Sequence, residues 1–169
     1  MKSKKASESL TIATELVLPN HTNTLGNLMG GNLLYWMDAT AAICAHRHAE
    51  EVTVTASVNH VAFNHPIKLG DFVTLEAKVS RAFKSSMEIY IDVMVDDIRT
   101  NEKIKCNEAI YTFVAIDADG NKVAVPELIP ETDIEKERYD AALRRRQLAL
   151  ILAGKLNPSD ATELKKLFE

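Results

Sequence analysis

"NHTNTLGNLMGGNLLYWMDATAAICAHRHA" occupies residues 20–49, and its reading decides the fold. A polar loop containing Gly26 runs into Gly30 and Gly31. From there to Ala49 the apolar residues Leu33, Leu34, Met37, Ala41, Cys44 and Ala45 recur at spacings of three and four. That period predicts one long helix burying a broad face. A single acid, Asp38, sits on it between Met37 and Ala39, where an aliphatic residue would be ordinary.

On either side of the helix the pattern changes to that of strands. "LTIATELVL" at 10–18 is rich in β-branched residues and stops at Pro19, which predicts a short first strand. After the helix, Val52, Val54, Ala56 and Val58 alternate with Thr53, Thr55, Ser57 and Asn59. Val73, Leu75, Ala77 and Val79 repeat the period of two, as do Ile89, Ile91, Val93 and Val95 against Glu88, Tyr90, Asp92 and Met94. A last strand is predicted from Ile104 to Ile116, ending at "DADG". The order is one strand, one long helix, then about four strands with short links. Short links favour antiparallel neighbours, so the fold class is α+β, with the helix across one face of a curved antiparallel sheet.

Past Pro126 and Pro130 the composition turns helical. Thr132 with Glu135 forms a capping box, Gly154 is a helix stop, and a second helix is expected from Asn157 with Pro158 at its first position. The domain organisation read from this is a main domain over residues 8–130 and a C-terminal helical extension over 131–169.

Composition narrows the function classes. With 169 residues, 46% of them hydrophobic, the chain has the material for one sizeable core. A formal net charge of −4 argues against a nucleic-acid surface, which needs a clustered cationic face. "MKSKK" lacks the apolar segment of a secretory signal, and no run approaches the length of a membrane span. Cys44 and Cys106 fit neither a disulfide framework nor a metal spacing, so they are expected to be buried thiols of a cytoplasmic protein, and no metal is implied.

The chemistry lies at the helix. The N–H groups of Gly30 and Gly31 fall among the unpaired donors of its first turn, with the positive end of the dipole, where a developing oxyanion is stabilised. The pair alone also fits a tight turn or a close helix–sheet contact. Asp38, if it faces a dry cleft, is a candidate base or nucleophile; if it meets solvent or an internal partner, it is structural. Eight residues separate Gly30 from Asp38, roughly 12 Å along a helix at 1.5 Å per residue. One chain cannot bring both to the same carbonyl. If both act, a second copy of the helix runs antiparallel beside the first, which predicts a two-fold dimer with two equivalent interfacial sites.

With Asn23, Gly26, Gly30, Gly31 and Asp38 in place, the chain resembles the hotdog-fold acyl-CoA thioesterases, the broad-range acyl-CoA hydrolases with N-x-x-G-x-x-x-G-G-x-x-x-x-x-x-D. "VNHVAFNHPIKLGD" and "EAIYTFVAIDADGNKVAVPEL" look like that family's later strands and loops. The resemblance implies a long helix wrapped by an antiparallel sheet, dimers with a continuous sheet, and hexamers built as trimers of dimers. It implies hydrolysis of acyl-CoA to a carboxylic acid and CoA, with no cofactor. Asp38 would be general base or nucleophile, Asn23 of the partner would position the water or thioester, and Gly30 with Gly31 would hold the oxyanion. A thioester suits so sparse a site, since a thiolate of pKa about 8.5 leaves without an obligatory acid. The resemblance also points to Asn59 and Phe63 beside the pantetheine, and to Lys84, Ser85 and Ser86 near the nucleotide phosphates. Lys84 also fits a solvated turn.

Other residues are given quieter roles. His46 and His48 at the helix end are read as capping or solvent-exposed. His65 in "NHP" is read as structural or next to CoA, although a hotdog enoyl-CoA hydratase would use such a His with an acid. A non-catalytic acyl-CoA sensor is the other rival. Trp36 and Tyr35 fit either an acyl channel or the core. "LRRRQ" at 143–147 is read as a solvated helix face, the alternative being a contact with the CoA phosphates of a neighbouring subunit.

Overall fold

The computed structural model describes residues 2–97, 100 and 102–168. The predicted helix forms over its whole length as α1 (Gly30–Ala49). It buries Leu33, Trp36, Met37, Thr40, Ala41, Cys44, Ala45 and His48, the three-and-four spacing that predicted it. His46 and Arg47 close its last turn, and Glu50 ends it in the left-handed region at φ 57°.

Against α1 lies a five-stranded antiparallel sheet: β2 (Thr11–Leu16), β3 (Val52–Phe63), β4 (Phe72–Ala82), β5 (Ser86–Asp97) and β6 (Glu102–Ile116). Its order is β2-β4-β5-β6-β3. Val73, Leu75, Ala77 and Val79 of β4 and Ile89, Ile91 and Val93 of β5 are buried, as the period of two requires. Consecutive strands are neighbours only from β4 to β6. The expectation from short links fails at β3 and β4, because the chain between residues 64 and 71 carries β4 to the far half of the sheet. β3 is left as an edge strand. Its valines, which alternate as a buried face would, remain open: Val52, Val54 and Val58 are exposed.

A parallel pair of two-residue strands, β1 (Lys4–Lys5) and β7 (Leu128–Ile129), ties the N-terminus to the segment after the sheet. The C-terminal part forms α2 (Asp133–Leu152). Thr132 accepts from the Glu135 N–H and Glu135 accepts from the Thr132 N–H, the capping box predicted. Gly154 follows at φ 67°. Beyond it the expected second helix is a 3-10 turn at Pro158–Asp160 and a single helical turn, α3 (Thr162–Lys165).

α2 packs on the sheet face opposite α1, with Ala142 fully buried and, among the described residues, three ion pairs across the contact. Lys78 pairs with Glu135 at 2.8 Å, Arg138 with Asp92 at 2.9 Å and Arg145 with buried Glu88 at 2.7 Å. The "LRRRQ" run is therefore not wholly a solvated face: Arg145 meets the opposite charge of Glu88 on β5, and Arg146 is half-buried over the Phe83 ring. Cys44 and Cys106 are buried and unpaired, as read from the sequence. His48 is a correction: it is fully buried and its Nε2 bonds the Pro126 carbonyl at 2.8 Å, with burial holding its pKa below the ordinary value. His46 does stay exposed.

Candidate active site

The loop of residues 20–29 is fastened before α1 begins. Leu28 N–H donates to Ile67 O, Leu69 N–H to Gly26 O, and Met29 N–H with the Asn32 side chain to His21 O. Gly26 takes φ 74°, where a side chain would be strained. Asn23 Oδ1 accepts from the N–H groups of Leu25 at 2.9 Å and Asn27 at 3.2 Å, which fixes the orientation of the amide. Its Nδ2 is left to donate outward, with no acceptor among the described residues.

Met29 caps α1 with extended backbone and no side-chain cap bond. The N–H groups of Gly30 and Gly31 therefore have no acceptor among the described residues, as the first turn of a helix leaves them. Gly30 faces a cleft of about 370 Å³ lined by Leu28, Phe63, His65 and Asn107. A side chain at Gly30 would place its Cβ 3.1 Å from the Phe63 ring, so the ring would have to give by a few tenths of an ångström to admit one. At Gly31 nothing lies within 4 Å.

Asp38 is half-buried two turns further along α1, in a separate groove with Leu34, Tyr35, Val58, Phe63 and Tyr111. Thr55 Oγ1 on β3 donates to Asp38 Oδ1 at 2.9 Å. One carboxylate oxygen is thus held by a hydroxyl while the residue lines the groove. Tyr111 closes the floor: its hydroxyl donates to Leu34 O at 3.3 Å, and burial, with the Asp38 charge beside it, pushes its pKa up to about 12. It is a neutral donor and not a base. Phe63, 55% exposed, borders both the cleft and the groove.

The remaining candidates divide. Asn59 is exposed on β3 and donates to Ser57 Oγ. Between Asn59 and Ala62 the strand bulges, with His60 at φ 52°. Lys84 is exposed in the turn between β4 and β5, Ser85 is half-buried, and Ser86 is buried and accepts from Arg146. His65 has no carboxylate partner among the described residues. Trp36 is core, edge-on to His21 at 5.1 Å between ring centres, whereas Tyr35 is 71% exposed beside Asp38. Thr40 turns inward and bonds Trp36 O. Among the described residues no group of His, Cys, Asp and Glu is arranged to hold a metal ion.

Thr55 and Tyr111 are the contacts that sequence reading missed. Thr55 is one of three small hydroxyl residues on the polar side of β3, and only the register of the sheet against α1 selects it over Thr53 and Ser57.

Comparison with known proteins identifies the family. Residues 25–102 match the model of the Thioesterase superfamily. The chain is 38% identical over 138 residues to an uncharacterized acyl-CoA thioester hydrolase of Bacillus subtilis, covering 82% of this chain and 80% of that one. The chain belongs to the hotdog acyl-CoA thioesterases. Acyl-coenzyme A thioesterase 11 of mouse is 42% identical over 140 residues, covering 83% of this chain; the chain spans 23% of the mouse protein's length. An acyl-CoA hydrolase variant from Staphylococcus aureus, in complex with coenzyme A, superposes with a TM-score of 0.86 at 37% identity, covering 91% of this chain and 94% of that one. In this chain the fold leaves the Gly30 and Gly31 N–H groups without an acceptor among the described residues at one end of α1 and sets the Thr55-bonded carboxylate of Asp38 two turns away.

Proposed function

We propose that this chain hydrolyses acyl-CoA to a free carboxylic acid and CoA, at a site completed by a second copy. The observation that carries this is the separation on one helix. The unpaired N–H groups of Gly30 and Gly31 and the carboxylate of Asp38 lie roughly 12 Å apart along α1, too far to meet on one carbonyl within a chain. An antiparallel partner helix brings one copy's Asp38 to the other's Gly30.

The surface supports that pairing. Gly31, Tyr35, Ala39 and Ile43 form an exposed, largely apolar stripe at four-residue spacing on α1. The neighbouring edge strand β3 has a row of unpaired backbone groups, which a second β3 can satisfy. Joining two copies here covers both features.

In the reaction, the Gly30 and Gly31 N–H groups polarise the thioester carbonyl and stabilise the oxyanion. Asp38, oriented by Thr55, acts as general base on water or as nucleophile. The partner's asparagine at position 23 positions the water or the thioester with its free Nδ2. Variants of the S. aureus enzyme replace an asparagine, an aspartate and a threonine by alanine, at intervals of 15 and 17 residues along its chain. Asn23, Asp38 and Thr55 have those same intervals here. That enzyme has also been captured with butyryl-CoA. We place the pantetheine beside Asn59 and Phe63 and the nucleotide phosphates near Lys84, Ser85 and Ser86.

A hexameric acyl-CoA thioesterase shares the fold with a TM-score of 0.87, and we assign to this chain a hexamer, built as a trimer of dimers. No helix among the described residues is long and apolar enough to cross a membrane, and we assign the protein to the cytoplasm. No cofactor enters the reaction. Residues 8–130 form the catalytic hotdog domain and 131–169 its helical extension.

The test is release of free CoA thiol from acetyl- through palmitoyl-CoA by wild type and Asp38→Ala. Release by wild type that falls by about a hundredfold or more in the variant supports the assignment. Tight binding of the esters with no thiol release by wild type refutes it.

A further inference from the structure

The cleft at Gly30 contains a polar group that hydrolysis does not use. Asn107 of β6 is 1% exposed and lines the cleft with Leu28, Leu33, Phe63, His65 and Ile67. Its Oδ1 accepts from the Asn64 N–H at 2.9 Å, which fixes which end of the amide is the donor. Its Nδ2 is buried and has no hydrogen-bond partner among the described residues.

The surroundings of Asn107 do not account for that donor. It lies between Val93 of β5 and Phe63 of β3 in one register row, and residues opposite one another on antiparallel strands put their side chains on the same face. Val93 is fully buried, so the row belongs to the core face of the sheet. Phe63 carries the same row to the start of α1, since its ring is the atom group a Gly30 Cβ would meet. Both row neighbours of Asn107 offer only carbon. An aliphatic side chain would complete the row at no cost, whereas an amide with an unpaired N–H pair is a cost that buried polar groups almost always avoid. Holding the Asn64 N–H needs the oxygen alone.

The open space beside this amide is the cleft itself, about 370 Å³, enough for a short acyl chain. In the reaction proposed above the thioester carbonyl sits at the Gly30 N–H, at the edge of this cleft, and the polar pantetheine lies by the exposed bulge at Asn59. The acyl group is the part left to enter. Leu28, Leu33, Phe63 and Ile67 suit its carbon chain, and Asn107 suits an oxygen on that chain.

We infer that Asn107 is a specificity-determining residue: its Nδ2 donates to an oxygen carried by the acyl group within the first few carbons beyond the thioester. This rests on the acyl-CoA reading above and narrows its substrate class to hydroxy-, oxo- or carboxy-acyl-CoA. A site built to bond a substrate oxygen rejects the analogue lacking it, because the buried donor is then left unpaired. A purely apolar cleft would rank the same substrates in the opposite order, since the oxygen would lose its hydration and gain nothing.

The test measures kcat/KM for four thioesters of equal chain length, butyryl-, 3-hydroxybutyryl-, 3-oxobutyryl- and succinyl-CoA, with wild type, Asn107→Leu and Asn107→Ala. Wild type should favour at least one oxygen-bearing ester over butyryl-CoA by about tenfold, roughly the worth of one hydrogen bond. In both variants that ratio should fall by about tenfold; comparing ratios between proteins cancels the intrinsic reactivity of each ester. A preference for succinyl-CoA assigns a carboxylate as the acceptor, and one for the hydroxy or oxo ester assigns a neutral oxygen. Equal ratios in wild type and variants would mean that a water satisfies Nδ2, and equal losses on all four esters would make Asn107 a residue of the fold or of the pantetheine path; either result overturns the inference. So does a wild type that prefers butyryl-CoA to all three others, whether or not the variants fold. Release of no thiol from any of the four refutes the hydrolase reading instead, and calorimetric binding of the same esters to the intact oligomer then reads the preference directly.

Discussion

The hydroxyl of Thr55 on β3 donates to Asp38 Oδ1 on α1 at 2.9 Å, joining sheet and helix at the proposed catalytic acid. A carboxylate with one oxygen held in this way loses rotational freedom, at the groove that Asp38 lines with Tyr35 and Phe63.

Thr55→Val keeps the shape of the side chain and removes the donor. Turnover should fall by about tenfold, the worth of one hydrogen bond to a charged group, with a smaller change in KM. Thr55→Ser should retain most of the activity. Equal kcat values for Val and Thr at this position would make the contact incidental.

Gly30 and Gly31 separate packing from chemistry. A methyl group at Gly30 would meet the Phe63 ring at 3.1 Å, but that ring is half exposed and can shift by a few tenths of an ångström. Gly30→Ala should therefore fold with a stability change under about 1 kcal/mol. Its turnover should drop at least about tenfold, because the methyl group occupies the approach to the free N–H groups. Gly31→Ala meets nothing within 4 Å and should melt at or above the wild-type temperature. Thermal melting and thiol release on the two variants check both statements, and wild-type turnover in Gly30→Ala would remove Gly30 from the oxyanion site.

Glu135 ties α2 to the sheet through charge. Burial alone would raise its pKa, but Lys78 and the N–H groups of Glu131 and Thr132 hold it down to about 2, from an ordinary 4.5. The folded value lies below the unfolded one, so the stabilisation is complete above pH 4.5 and is lost as pH falls from there towards 2. The unfolding free energy of wild type, from denaturant titration, should decline over that window by on the order of 2 kcal/mol more than that of Glu135→Gln, which should be the less stable protein at neutral pH. Parallel acid profiles for the two proteins would contradict the assignment.

What the sequence displayed depended on whether the relevant interaction was local. α1 was legible to the residue because its buried face repeats every three to four positions and glycines mark its start. The capping box of α2 was legible because Thr132 and Glu135 lie three apart. The pairing of β3 with β6 was not, since nothing in Val52, Val54 and Val58 says which strand lies alongside; their alternation resembles a buried face although the strand is an edge. Asp38 stood out as an acid in an apolar stripe, whereas its partner Thr55 did not, because the contact is set by register between helix and sheet. His48 was misread for the same reason: a histidine at a helix end suggests a dipole partner, and only the segment around Pro126, folding back over it, makes it core. The arginines of α2 carried no sign of their partners, which lie on strands 46 and 57 residues away.

The shared site can be tested by complementation. Asp38→Ala and Asn23→Ala should each lose about a hundredfold or more in turnover while folding normally, as expected of groups acting in the transition state. A dimer of one such chain with the other holds one site with both defects and one site with neither, provided that each site takes its Asp38 and its asparagine from different chains. After equal mixing and random exchange, half of the dimers are mixed and about a quarter of all sites are intact, so activity should recover to about a quarter of wild type. If both groups of a site came from one chain, every site in the mixture would carry a defect and activity would stay at the level of the parents. Mass spectrometry of differently tagged chains establishes that exchange has occurred. Recovery near a quarter would then locate the active site between copies, and the absence of recovery in a fully exchanged sample would return it to a single chain.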